Sequence, residues 1–461
     1  MIQPRFELDR SLRPPPLPLP RTALPAIQKA TLPNGLAVWL VEHHKLPQVA
    51  FSLLLQSGAD QDPAGRAGVA TLTAELLDAG TQTKDLLQIA ERLEFLGTSL
   101  SFRAGTEATF GYMLTLRRHL DESISIFSDE LTNSAFPESE FERVKALRLG
   151  TLLQQKDRAA TIATNAFMHV LYGADHPYGN DILGSEPSVT RARRADVVEH
   201  YQRHYLPGNG TLIVVGDITL EELMSRLEAS LGSWRGEQTD LRLPPAPAPV
   251  DRCIYLIDRP GAVQSEIRIG CPALPRATPD YFAATVMNRI LGGQFSSRIN
   301  VNLRERRGLT YGARSAFVFL KTPGPFFASG GFISEKTDTS VEQLVSEIDR
   351  LYRDGVTEEE LAFSKKGLVG SFALSFETIS QIAAALQTLV LYGLPEDYYG
   401  TYLENIDRVT LEDIRRVAAG TLDSRRMAVL VVGDAGRIRG GLSRLGLGDV
   451  RMLDAEGNPA G

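Results

Sequence analysis

The chain predicts an α+β protein built from two homologous halves, each a sandwich of a mixed sheet with helices. Three observations carry that prediction. First, the chain repeats itself: Leu171-Tyr172-Gly173 recurs as Leu391-Tyr392-Gly393, and Val214-Val215-Gly216-Asp217 recurs as Val431-Val432-Gly433-Asp434. The stretch FERVKALRLGTLLQQ (141–155) lines up with LAFSKKGLVGSFALS (361–375), which sets Lys145 over Lys365. Two copies make an internal duplication, whereas a solenoid needs three or more. Second, a Pro-rich stretch, Arg235–Val250 with the core RLPPAPAP, separates the copies and is extended and semi-rigid by composition. Third, within each copy strand patterns and helical patterns are segregated instead of alternating, which favours α+β over a parallel βαβ sheet.

The elements follow in order. Residues 1–26 read as an N-terminal arm, whose segment Arg13–Arg21 (RPPPLPLPR) is expected to pack over the surface as polyproline II. Residues 27–234 form the first half. Leu36–Val41 and Val49–Leu55 alternate or run apolar as strands do. Helices are expected over 65–79 and 85–96, strands near 98–104 and 108–116, and long helical patterns over 119–132 and 137–171. Thr211–Val215 closes the half. After the linker at 235–250, the second half (251–437) repeats this order from Cys253-Ile254 to Leu430-Val431, and 438–461 reads as a C-terminal tail.

The bulk numbers exclude several functions. The 461 residues carry 49 basic and 56 acidic side chains, a net charge of −7, with no dense Lys/Arg run. Nucleic-acid and anionic-membrane binding therefore gain no support, and no apolar stretch approaches the roughly 20 residues of a membrane span. The opening MIQPRFELDR shows no signal-peptide pattern, so a soluble protein is expected, cytoplasmic, or periplasmic if a leader has been removed. Cys253 and Cys271 read as buried apolar thiols, because a chain of this size needs no disulfide staple.

Residues 65–81, GRAGVATLTAELLDAGT, read as a helix with Val69, Leu72, Leu76 and Leu77 toward a core and Thr71, Ala74 and Glu75 sharing another face. From Ala67-Gly68 to Gly80-Thr81 the segment resembles the one that carries an inverted zinc motif, His-x-x-Glu-His, in the insulinase/pitrilysin family of metallopeptidases (M16). In that motif the histidines bind zinc and the glutamate is the general base. Here the three positions hold Thr71, Ala74 and Glu75. The family's third ligand is a Glu about seventy-five residues further on, and Arg143–Lys156 contains no carboxylate. A catalytic zinc takes three protein ligands and one open position, so no metal is expected in this chain. The resemblance covers nearly all of residues 27–435 and implies two sandwich halves that form one half of a clamshell around a chamber.

The second half supplies the other candidates. In LGGQFSSRINVNLRERRGLTYG (291–312), Arg304 and Tyr311 stand seven apart. Ser296–Arg307 reads as a helix with Gly308 as its C-terminal cap, and Leu309–Phe319 as the following strand. The turn would bring both side chains to one place. The setting resembles the Arg/Tyr pair that M16 peptidases present opposite the zinc, where it is thought to hydrogen-bond substrate carbonyls and the developing oxyanion. A guanidinium and a phenol suit that task as donors aimed at a growing negative charge. Some M16 enzymes divide the zinc motif and this pair between two chains. The resemblance therefore implies a non-zinc-binding subunit of a heterodimeric M16B peptidase, inactive alone, with Arg304 and Tyr311 acting in trans. The implied partners are a homologous His-x-x-Glu-His subunit holding the zinc and peptide substrates. The glycine-rich loop of the mitochondrial processing peptidase's non-catalytic subunit is reduced here to Gly292-Gly293. Two rivals stay open: an inert scaffold protein of the same fold, and a homodimeric enzyme with a displaced metal site at Glu199, His200 and His204.

The remaining motifs are read as structural. EHYQRHYLPGNGTLIVVGD (199–217) matches a family stretch leading into a core strand, and His176 precedes Pro177 and Gly179 in a turn. His43 and His44 point to opposite sides, and His119 and His169 are isolated. Gly330-Gly331 is expected to mark a bulge.

Overall fold

The computed structural model describes residues 25–241, 243–248 and 252–460; the Pro-rich segment 13–21 lies outside them. Two six-stranded mixed sheets carry the fold. The first contains β1 (Gln28–Thr31), β2 (Ala37–Glu42), β3 (Gln48–Leu55), β4 (Leu100–Ala104), β5 (Thr109–Leu116) and β6 (Gly210–Gly216) in the order β1-β2-β6-β3-β5-β4. The second contains β7 (Ile254–Asp258), β8 (Gln264–Pro272), β9 (Ala313–Phe317), β10 (Pro325–Ile333), β11 (Ala428–Gly433) and β12 (Val450–Leu453) in the order β12-β7-β11-β8-β10-β9. Five strands correspond one to one: β2-β6-β3-β5-β4 with β7-β11-β8-β10-β9. In both, the first pair is parallel and the other neighbours are antiparallel. The sixth strand differs. The first sheet takes it from upstream and antiparallel, the second from downstream and parallel.

That last strand corrects the expected tail at 438–461, where helix Ala435–Arg444 and β12 complete the second sheet. Val450 and Met452 pack beside the core, and Leu453 is buried. Apolar content of this sort cannot stay in water at no cost. The helical pattern over 137–171 is two helices, Glu138–Gln155 and Ala159–Tyr172, broken at 156–158. The duplicate breaks likewise: Glu358–Phe376 turns by 112° into Ile379–Tyr392. There Thr378 and Gln381 form a capping box, which satisfies the amides exposed at a new helix start.

These breaks send each half's helix across to the other half. Ile162, Ala163, Ala166 and Phe167 of the first half pack on Ile257, Leu430 and Val432 of the second sheet. Reciprocally, Ile382, Ala383, Leu386 and Leu389 pack on Val41, Ile213 and Val215 of the first sheet. Each sheet thus has its own helices on one face and a borrowed helix on the other. Sheets covered on both faces require strands apolar on both sides, as Val431-Val432 and Val214-Val215 are. Burying a Leu, Ile or Phe side chain stabilises by about 1.5–3 kcal/mol, so each borrowed helix contributes several such terms. Polar contacts reinforce the seam: Gln387 donates to Ser52 at 2.6 Å, and Lys321 N–H donates to Glu107 at 2.7 Å.

The duplication reaches single side chains. Lys145 Nζ donates to the Ala192 carbonyl at 2.8 Å, and Lys365 Nζ to the Asp407 carbonyl at 2.5 Å. Cys253 and Cys271 are buried free thiols. They flank β7 and end β8, and β11 runs between those strands, which puts the thiols out of bridging range. Gly330 and Gly331 form no bulge, since β10 keeps an unbroken register with β8 through them. A Cβ at Gly331 would lie 2.7 Å from Glu266 Oε1, the mobile end of that side chain. Among the described residues no single helix is long and apolar enough to cross a membrane.

Candidate functional site

The segment expected as a helix over 65–79 begins its regular turns at Val69, because Gly68 stands at φ +100° in the left-handed region. A Cβ there would lie 2.8 Å from the Leu183 carbonyl oxygen. The Asp62 carboxylate caps the helix, accepting from Gly68 N–H and Ala70 N–H at 2.7 Å each. Burial pushes the Asp62 carboxyl up to about 7, while those two hydrogen bonds and the Arg148 charge pull the other way.

Thr71 and Ala74 are buried, and Glu75 sits at the rim with its side chain 47% exposed. Between Thr71 and Glu75 lies Arg148, from helix Glu138–Gln155, with 4% of the residue exposed. Its Nη2 donates to Glu75 Oε1 at 2.6 Å. Its Nη1 donates to Thr71 Oγ1 at 2.8 Å and to the Leu183 carbonyl at 3.0 Å. Thr71 Oγ1 in turn lies 2.9 Å from the Ile182 carbonyl and 3.0 Å from that of Gly68. Nearby, burial raises the Asp181 carboxyl, offset by Leu183 N–H, Asn165 and the Arg148 charge.

This donor set does not fit a zinc ion. One hydroxyl, one methyl and one carboxylate already bound by a guanidinium cannot supply three ligands and an open position. An arginine also stays charged and cannot act as a base near neutral pH. The expected site at Glu199, His200 and His204 does not assemble either. His200 and His204 lie in the interior with tilted rings whose centroids are 4.5 Å apart, whereas Glu199 is exposed. Burial depresses the two imidazoles, to about 3 for His200 and about 4 for His204. Among the described residues no group of three or more His, Cys, Asp or Glu side chains is placed to hold a metal.

In the second half, the segment expected as a helix over 296–307 is helical from Arg298, with Val301–Arg306 wound as a π-helix. Gly308 stands at φ +62°, the cap conformation expected of it. The strand starts at Ala313, later than expected, because Thr310 Oγ1 bonds the Gly312 and Gly331 carbonyls and accepts from Gly312 N–H. Tyr311 therefore projects from a bend, 93% exposed, and among the described residues its side chain has no hydrogen bond or ring contact. Arg304 pairs with Glu305 at 2.8 Å and lies 3.5 Å from the ring centroid of Phe295, itself 73% exposed. No hydrogen bond or ring contact joins Arg304 to Tyr311 among the described residues, so the turn does not by itself clamp the two together.

Arg148, Glu305 and Phe295 are the residues that sequence reasoning passed over. Arg148 was signalled: it sits on the stripe Phe141, Val144, Arg148, Leu152, and a charge on a buried helix face needs a partner.

Duplicated sandwich halves with a degenerate motif helix in the first define a metallopeptidase fold without its ligand set. Comparison with known proteins agrees. Residues 37–183 match the model of the insulinase peptidase family M16, and residues 191–368 match that of the M16 inactive domain. The chain belongs to the M16 family. An uncharacterized zinc protease of Mycobacterium tuberculosis is 27% identical over 91% of this chain and 96% of its own length. A non-peptidase homolog of Helicobacter pylori is 26% identical over 81% of this chain and 86% of its own. Among solved structures, an M16 inactive domain from Pseudomonas fluorescens is similar with a TM-score of 0.83 and 26% identity, covering 88% of this chain and 98% of that one.

Proposed function

We propose that the chain is the non-zinc-binding subunit of a heterodimeric M16B peptidase, closing the chamber and presenting Arg304 and Tyr311 to a peptide at the partner's active site. The observation that carries this reading is the contrast in partnering. Thr71 and Glu75 are bonded by Arg148, whereas Tyr311 stands exposed without a partner among the described residues. An exposed phenol on the turn seven residues after Arg304 is a donor with room for an acceptor. The description of the Helicobacter pylori relative as a non-peptidase homolog supports the absence of hydrolysis by this chain alone. That of the mycobacterial relative as a zinc protease supports peptide hydrolysis as the activity of the pair.

In this reading the peptide binds extended, adding a strand to a sheet edge of the partner. Hydrolysis belongs to the partner, and this chain contributes donors aimed at the scissile carbonyl. Arg304 would exchange Glu305 for the substrate oxygen, an exchange favoured once charge develops there. Phe295 covers one face of the guanidinium and directs the fork away from itself.

The test is to mix this protein with a homologous His-x-x-Glu-His chain and assay peptide cleavage against each alone. Cleavage confined to the mixture, and lowered by Arg304→Ala without loss of assembly, supports the reading. A mixture no faster than the partner alone leaves the inert scaffold in its place.

A further inference from the structure

The groups gathered around Arg148 are those of a cation site. A carboxylate oxygen of Glu75, the Thr71 hydroxyl and the Leu183 carbonyl all lie within 3.0 Å of its guanidinium nitrogens. The half-buried carboxyls of Asp62 and Asp181 feel its charge. All of these present oxygen lone pairs, and the positive charge among them is covalently part of the chain. Arg148 comes from the stretch where the third ligand was sought, and it touches both outer positions of the degenerate motif.

We propose that Arg148 is a tethered cation standing in the metal's place, which keeps the charge balance of a metal site while excluding a metal. A guanidinium is permanently charged, so a divalent ion would have to enter against a like charge in a poorly screened interior. Restoring the histidines alone would therefore not restore binding, because the resident cation must also leave. The inference rests on the geometry of the first half and on family membership, and it holds or fails independently of any partner.

The experiment compares three variants of the full chain, T71H/E75H, T71H/E75H/R148E and T71H/E75H/R148M, each titrated with Co²⁺ alone. The visible absorption of tetrahedral cobalt and the melting temperature are the readouts. The R148E triple variant is expected to bind about one Co²⁺ per chain, as a three-ligand site with an open position would, and to melt higher with cobalt than without. The variant keeping Arg148 is expected to bind at least about 100-fold more weakly, through the like charge together with the missing third ligand, and T71H/E75H/R148M, which lacks both the charge and that ligand, is expected to bind more tightly than it. Equal binding by T71H/E75H and either triple variant, or none by the folded R148E triple variant, overturns the proposal. Should the R148E triple variant not fold, the native site still answers through R148M and R148K. The methionine variant is expected to melt several degrees lower, and lysine to recover at least half of that loss by keeping the charge. Methionine melting like the native protein, or both variants losing equally, overturns it.

Discussion

The polar corner of the first half is closed, and that of the second half is open. Around Arg148 both terminal nitrogens have acceptors and the side chain is buried. Among the described residues Arg304 has one ion pair, with the adjacent and half-exposed Glu305, and Tyr311 has no partner. A closed network contributes to holding the fold together, whereas an open one keeps its donors for something that arrives later.

The largest expected effect breaks the comparison most directly. Losing one oxyanion donor typically costs about 10²–10³ in turnover, so Arg304→Ala should slow the mixed complex by that order and leave its melting temperature unchanged. Activity within threefold of native would remove the open corner from the mechanism. Arg148→Met should show the reverse pattern. Breaking a fully buried pair costs about 3–5 kcal/mol, and the half-exposure of Glu75 lowers this to about 1–3 kcal/mol, readable from denaturant midpoints. A native-like midpoint would mean the closed corner contributes nothing to stability.

The halves should also differ in pH response. Glu130 is buried in the first half with neither carboxylate oxygen partnered among the described residues, and burial, with Asp78 and Asp129 nearby, pushes it up to about 8. Its folded form is therefore protonated at neutral pH while the unfolded form is not. The stability this represents is fully present below the unfolded value and is lost as pH rises through the folded one. Between pH 7 and 8 stability should fall with a slope of at most about 1.4 kcal/mol per pH unit, and Glu130→Gln should flatten it. An unchanged slope would exclude Glu130. His200 and His204 act at the other end. Depressed in the folded state, they cost stability as pH falls below about 6.5 toward their folded values. The smallest effect is expected from Glu305→Gln. Such surface pairs contribute about 0–1 kcal/mol, so melting should barely move, and turnover should change by no more than about threefold. A larger loss would make Glu305 a positioning residue for Arg304.

Much of the fold was legible because the duplication was. Leu171-Tyr172-Gly173 and its echo end the two exchanged helices, and the paired Val-Val-Gly-Asp strings end β6 and β11. The exchange itself was hidden at the first break, where Arg158 caps nothing with its side chain; the Thr378–Gln381 box at the second was a readable signal. The vacated metal motif could be seen in Thr71, Ala74 and Glu75, yet its replacement could not, because a search for a carboxylate in 143–156 passes over an arginine. Tyr311 was placed at a strand start since β-propensity ignores the hydroxyl of Thr310, which bonds the local backbone and delays the strand.

The crossed helices bear on how the chain reaches its final form. Because Phe167 completes the layer over β11 and Leu386 that over β6, the first sheet synthesised keeps a bare flank until residues beyond 379 arrive. Contacts so distant along the chain slow maturation, and they leave an apolar sheet flank open to chaperones or to stray strands in the meantime.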